Sequence, residues 1–195
     1  MNVISILILI VSIVAHEVAH GLAALWQGDR TAKDAGRLTL NPIAHIDMVG
    51  SILIPVGLFL IGSPFLFGWA KPVPINPYNF RNLKYGEALV AFAGPLVNII
   101  FVAIFTLLIH FVPMNAVYMT VCQTAILVNL VLALFNLIPI PPLDGSKILF
   151  AFIPRTYYKL RKLLETRNFI FLMIVIILVW NVFQPAVFWI FERLV

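Results

Sequence analysis

The residues most able to do chemistry in this sequence are His16-Glu17-Val18-Ala19-His20. Side chains four apart on a helix share a face one turn apart, so both imidazoles can reach one cation. Glu17 projects to the side, where its carboxylate can take a proton from water without being a ligand. Neutral imidazoles completed by a carboxylate form a familiar catalytic zinc set with one position left open, so one Zn2+ per chain is expected. A zinc site of this kind lowers the pKa of its water to about 7, within reach of a glutamate base. HExxH patterns also arise by chance in soluble proteins. Here the pattern sits in a helix otherwise free of charge, where an ionisable group costs about 2.5–3.5 kcal/mol at the bilayer centre. Packing alone does not account for three such groups in five residues.

The third ligand must come from elsewhere. Asp144 is the best candidate, because Pro139, Pro141 and Pro142 break the preceding helix near membrane depth. A lone carboxylate there needs a partner or a metal. The same residue would also serve as N-cap of a helix beginning near Gly145. His45 and Asp47, in a surface loop, are the other possible ligands. The single cysteine, Cys122, excludes an internal disulfide and any multi-cysteine zinc site.

The elements that position these residues belong to a membrane protein. Of 195 residues, 62% are hydrophobic and 11% charged, and mean hydropathy is +1.03. That leaves too little charge to cover a soluble domain of this size. Residues 3–26, 87–111, 115–137 and 169–191 are apolar runs long enough to span. The first contains the histidines and lacks a basic leader or a clean cleavage site, so it is expected to be a retained helix. Segment 51–68 is apolar but broken by Pro55, Gly57, Gly62 and Pro64, and is read as re-entrant or as an additional span. Alternation over 37–41 suggests a small surface strand, and 71–76, with Pro72 and Pro74, is extended. A short helix follows residue 144, and 155–167 is basic and amphipathic. The expected fold is an all-α polytopic bundle with about four full spans and small surface strands, forming one domain over 1–195.

Charge tests the topology. If 51–68 enters and leaves on one side, twelve of the thirteen Lys and Arg, all but Arg193, lie on one face. The link between the second and third spans has none. This asymmetry fits the positive-inside rule, with the basic loops cytoplasmic, whereas a full crossing would scatter the charges and carry Asp144 away from His16. The net charge of +5 thus reports topology, and no nucleic-acid partner is expected.

His16-Glu17-x-x-His20, taken with Asn136-Leu137-Ile138-Pro139-Ile140-Pro141-Pro142-Leu143-Asp144-Gly145, resembles the site-2 protease family of intramembrane zinc metalloproteases, peptidase family M50. Gly94-Pro95-Leu96-Val97-Asn98 also looks like the family pattern. The resemblance implies that His16, His20 and Asp144 bind zinc and that Glu17 is general base and then acid. It gives Asn136 the role of holding substrate or the oxyanion by its side-chain amide, against the plainer reading of a helix-to-helix hydrogen bond. Asn98 and Asn129 are assigned first to packing contacts. The insert at 51–68 departs from the shortest family cores, and the chain reads as a compact member without a PDZ domain.

The implied partners are a transmembrane or membrane-proximal protein substrate and the lipid bilayer itself. The expected location is a prokaryotic plasma membrane. Extended segment 71–76 is expected to pair with strand 37–41 or with substrate, or else to be a stiff linker. Two other functions use the same residues: a metal transporter with the His/Asp site in its pathway, and a catalytically silent scaffold that binds membrane segments.

Overall fold

In the computed structural model residues 3–62, 68–113, 115–153 and 183–195 are described, and every regular element among them is helical. Helix α1 is Val3–Trp26, followed by the one-turn α2, Thr31–Asp34. A π-helical turn, Met48–Leu53, runs directly into α3, Ile54–Leu60. Then come α4, Gly86–Phe111, α5, Ala116–Asn136, and α6, Asp144–Phe152. Residues 183–194 form α7. Three of these helices, α1, α4 and α5, are long and apolar enough to cross a membrane. Of the expected span 169–191 only the last residues fall within the described chain, and the basic segment 155–167 lies outside it.

Each long helix turns one stripe of small or polar residues inward. On α1 the stripe is Ser12, His16, His20 and Ala24, all buried, while Val3, Leu7, Val11 and Leu22 are exposed on other faces. On α4 the row Gly86, Val90, Gly94, Asn98 and Val102 is buried throughout. On α5 it is Ala125, Asn129 and Ala133. Lipid tails are as apolar as leucine, so burying leucine gains little in a bilayer. Helices there associate through close backbone approach at small residues and through hydrogen bonds between them. Helix α4 is central, packing on α1, α5 and α6. Towards the other end of the bundle, Val102, Ile126, Leu130 and Val187 join α4, α5 and α7 in one apolar cluster.

The region from α1 to α4 starts and finishes at one end of the bundle, where the Arg81 amide donates to the Gln27 carbonyl at 2.7 Å. Within it, the residues that flank the broken segment 51–68 lie together. Gly68 lies against the Gly50 carbonyl, the Trp69 amide donates to that carbonyl at 3.2 Å, and Ser51 Oγ donates to Trp69 O at 2.8 Å. The apolar helix Met48–Leu60 has 13 residues, about 20 Å at 1.5 Å per residue, against a hydrocarbon core of about 30 Å. The residues flanking the segment, Gly50 and Trp69, meet at one place. Gly50 is required at the closure, because a Cβ there would run into the Trp69 ring.

The expected surface strands do not form among the described residues. Residues 37–41 are irregular, and their polar groups bond outside any ladder, the Arg37 amide to the Ala32 carbonyl at 2.9 Å and the Asn41 amide to Thr39 Oγ1 at 3.2 Å. His45 Nε2 donates to Thr39 O at 2.9 Å, and Arg37 Nη2 reaches across to Lys71 O at 2.8 Å. Segment 71–76 is extended, as its prolines require, but pairs with no strand. The Lys71 amide donates to His45 O at 2.9 Å and the Asn76 amide to Asp29 Oδ2 at 2.7 Å.

Candidate metal centre

His16 and His20 come from the inward stripe of α1, and Asp144 opens α6 after the proline-rich break. The three meet inside the bundle, 6–7% exposed. The two Nε2 atoms are 3.0 Å apart, and Asp144 Oδ2 is 3.2 Å from one and 3.1 Å from the other. The remaining ring nitrogens face acceptors. His20 Nδ1 donates to the Val90 carbonyl at 2.8 Å and His16 Nδ1 to Asn98 Oδ1 at 2.6 Å. With Nδ1 carrying the proton in each neutral ring, both Nε2 atoms present lone pairs. Two lone pairs and a carboxylate oxygen then converge on one point, an arrangement that calls for a cation. A tetrahedral zinc with bonds of about 2.05 Å keeps its ligand atoms about 3.3 Å apart. The observed separations match that edge, so the donor set fits zinc in chemistry and in size.

Local sequence explains how the rings come so close to α4. A Cβ on Gly94 would stand 2.5 Å from His20 Cε1 and Nε2 and 2.6 Å from His16 Cε1. Pro95 cannot donate to the Ala91 carbonyl, loosening α4 on the turn beside the rings. Asp144 is fixed from below by Gly145, whose Cα sits under the Leu137 and Ile138 carbonyls with no room for a side chain. Leu143, not Asp144, holds the N-cap position of α6, and no side chain caps it. The oxygens of Asp144 go instead to the histidines and to Lys147, whose Nζ is 3.4 Å from Oδ1.

Glu17 stands on the neighbouring face of α1, half-buried, with Oε2 accepting from the Val73 amide at 2.9 Å. Pro72 and Pro74 have no N–H, so Val73 is the one donor in that stretch, and it is turned onto the glutamate. Glu17 is thus anchored through one oxygen. Behind Val73 the extended segment is tied down by Asp29, a fully buried carboxylate that accepts from the Asn76 amide, Asn79 Nδ2 and Thr31. Burial works to raise its pKa, but the hydrogen bonds from Thr31, Asn76 and Asn79 hold the carboxyl below the usual range.

The other sequence candidates sit elsewhere. His45 is buried against Thr39, and Asp47 caps the π-helical turn by accepting from the Val49 and Gly50 amides. Asn136 donates back to the Leu132 carbonyl of its own helix at 2.9 Å, a local bond that leaves its side-chain oxygen unassigned. Asn98, expected to make contacts between helices, does so twice: its Oδ1 accepts from His16 on α1 and its Nδ2 donates to Asn129 on α5. The Gly94–Asn98 spacing puts both residues on the α4 stripe facing the rings.

The sequence model describing Peptidase family M50 matches residues 112–180. YwhC of Bacillus subtilis, which carries a provisional zinc-metalloprotease name, is 42% identical over 158 residues, covering 76% of this chain and 68% of YwhC. The chain belongs to peptidase family M50. Another relative, Rip2 of Mycolicibacterium smegmatis, is 27% identical over 192 residues and carries the same provisional description. Zinc metalloprotease MJ0392 of Methanocaldococcus jannaschii is 28% identical over 151 residues, 77% of this chain but 34% of MJ0392. No solved structure matches the chain significantly. The kinship supports a membrane zinc metalloprotease, and among the described residues His16, His20 and Asp144 have the geometry to hold a metal ion.

Proposed function

We propose that the chain is a single membrane-embedded domain that hydrolyses peptide bonds of membrane-spanning or membrane-proximal substrates, with Glu17 as the proton carrier. The observation that carries this is the meeting of two imidazoles and a carboxylate inside an apolar bundle, with a half-free glutamate beside them. Bound zinc supplies Lewis acidity there, polarising a carbonyl and easing deprotonation of water near neutral pH. His16, His20 and Asp144 would hold the cation. Glu17 takes the proton of the attacking water on Oε1, the oxygen that Val73 does not occupy. It then delivers that proton to the departing amide nitrogen. The Val73 amide keeps the carboxylate from swinging away.

Access is supported by an apolar cavity of about 350 Å3 between α1 and the re-entrant segment, with Ile10, Ile13, Pro55 and Trp69 among its lining. Its walls suit the side chains of a membrane segment, and it approaches α1 one turn before the histidines. Seven basic residues, from Arg30 to Lys147, lie in the described segments at one end of the bundle, which supports a multi-pass chain with that end cytoplasmic in a prokaryotic plasma membrane. Kinship with named zinc metalloproteases favours hydrolysis over metal transport.

The test is Glu17→Gln in detergent or lipid. Zinc content should stay at one per chain, while cleavage of a transmembrane peptide falls by about 10²–10⁴-fold, the usual weight of a general base. Unchanged cleavage would overturn the assignment, and so would loss of zinc.

A further inference from the structure

We infer that Asn129, on α5 and out of contact with the proposed metal ligands, is a positioning residue that sets the tautomer of His16. The inference rests on the reading of His16 as a ligand through Nε2. Four hydrogen bonds form a buried line through three helices. His16 Nδ1 meets Asn98 Oδ1 at 2.6 Å, and Asn98 Nδ2 donates to Asn129 Oδ1 at 2.8 Å. Asn129 Nδ2 donates to Ser12 Oγ and to the Ala125 carbonyl, each at 2.9 Å. Ser12, Asn98 and Asn129 are 2%, 0% and 1% exposed, so no water competes for these groups.

The line has a direction, and its far end fixes it. An amide side chain can be turned over, exchanging donor and acceptor, and an imidazole can carry its proton on either nitrogen. A backbone carbonyl can only accept. The Ala125 carbonyl therefore requires the NH2 of Asn129 on its side, which turns Asn129 Oδ1 toward Asn98. Asn98 must answer with its own NH2, and the Ser12 carbonyl, 3.5 Å from Asn98 Nδ2, favours the same choice. Asn98 Oδ1 is then left facing His16, where it accepts only from a protonated Nδ1. The proton is excluded from Nε2, the atom that points at His20 and Asp144. With Asn98 turned over, its NH2 would face Nδ1, the proton would move to Nε2, and His16 could not donate to a cation. For His20 the same task is done directly by the Val90 carbonyl.

Two variants separate this role from simple packing. Asn129→Leu keeps the volume but removes the acceptor that orients Asn98. Asn129→Asp, neutral when buried, can still accept from Asn98 and donate to the Ala125 carbonyl through its carboxyl proton. Two readouts are used: zinc affinity by chelator competition, and imidazole 15N NMR of the metal-free protein, which distinguishes a protonated ring nitrogen from a bare one. The His16 signal is assigned by its loss in His16→Ala. The expected result for Asn129→Leu is a mixed or reversed His16 tautomer and zinc affinity lower by about 10- to 100-fold, as for other losses of an outer partner to a metal-binding histidine. Asn129→Asp should keep the Nδ1-protonated form and affinity within a few-fold of the parent. The inference is overturned if Asn129→Leu leaves tautomer and affinity unchanged, or if Asn129→Asp is as impaired as a folded or unfolded Asn129→Leu. Failure of the zinc reading itself shows differently: the parent protein would bind no zinc while its His16 tautomer still followed the two substitutions.

Discussion

Gly94→Ala should uncouple metal binding from the rest of the fold. The new Cβ would lie 2.5 Å from two atoms of the His20 ring and 2.6 Å from His16 Cε1. Ordinary carbon contacts begin at about 3.5 Å, so the rings or the helix must give way by about 1 Å. Neither ring can swing freely, because each Nδ1 is held, by Asn98 at 2.6 Å and by Val90 at 2.8 Å. Metal sites tolerate about 0.2 Å in ligand distance, so a shift of 1 Å exceeds the margin roughly fivefold. Zinc affinity should fall by at least 100-fold, with overpacking costing about 1–3 kcal/mol of stability. The control is Gly57→Ala in α3, where an added Cβ meets nothing within 4 Å. That change should leave zinc binding alone and stabilise the helix by about 0.5–1 kcal/mol. Chelator competition gives the affinities and thermal unfolding in detergent the stabilities. Parent-like zinc affinity in Gly94→Ala would refute the reasoning, because the rings could not then be where α4 holds them.

Gly145→Ala should displace Asp144, since its Cβ would stand 2.5 Å from the Ile138 carbonyl oxygen; lower zinc occupancy and a lower Tm are expected together. Metal should stabilise the parent fold: at a free zinc concentration 100 times Kd the gain is about 2.7 kcal/mol, read as a rise in Tm, and Asp144→Ala should abolish it. Asp29 sets an acid limit. Its carboxyl titrates below its usual 3.8 in the fold, so its contribution is present above about pH 4 and is lost as pH falls through the lower folded value. Asp29→Asn should be less stable at neutral pH and show a flatter acid limb in a series of Tm measurements. Lys147→Met removes a cation 3.4 Å from Asp144 Oδ1, so zinc affinity should rise slightly or stay unchanged, never fall tenfold.

The part of the site carried by helical periodicity was legible in sequence. His16 and His20 share a face because they are four residues apart, and Asp144 was marked by a carboxylate following a proline break in an apolar chain. The breaks in 51–68 and the charge balance of its flanking loops suggested that its two ends lie together, and Gly50 and Trp69 do meet. Three features were not legible. The strand expected at 37–41 looked alternating, but alternation does not reveal that Arg37, His45 and Asp29 satisfy the backbone of the neighbouring segment and leave no edge to pair. The extended form of 71–76 was legible from its prolines, yet the partner of the Val73 amide, Glu17, is 56 residues away in sequence and is supplied by packing alone. Asn98 shows the same limit. One polar residue on a helix stripe is equally a packing contact or a ligand's partner until the opposing helix is in place, and three helices had to meet before its role was visible.

The central claim is tested most directly by zinc X-ray absorption on the purified protein beside Asp144→Ala. One zinc per chain is expected, bound by two imidazole nitrogens with light oxygen ligands and no sulfur, and the bound zinc should be largely lost on removing Asp144. A zinc-free protein that still cleaves peptides, or a zinc shell unchanged by Asp144→Ala, would contradict the account.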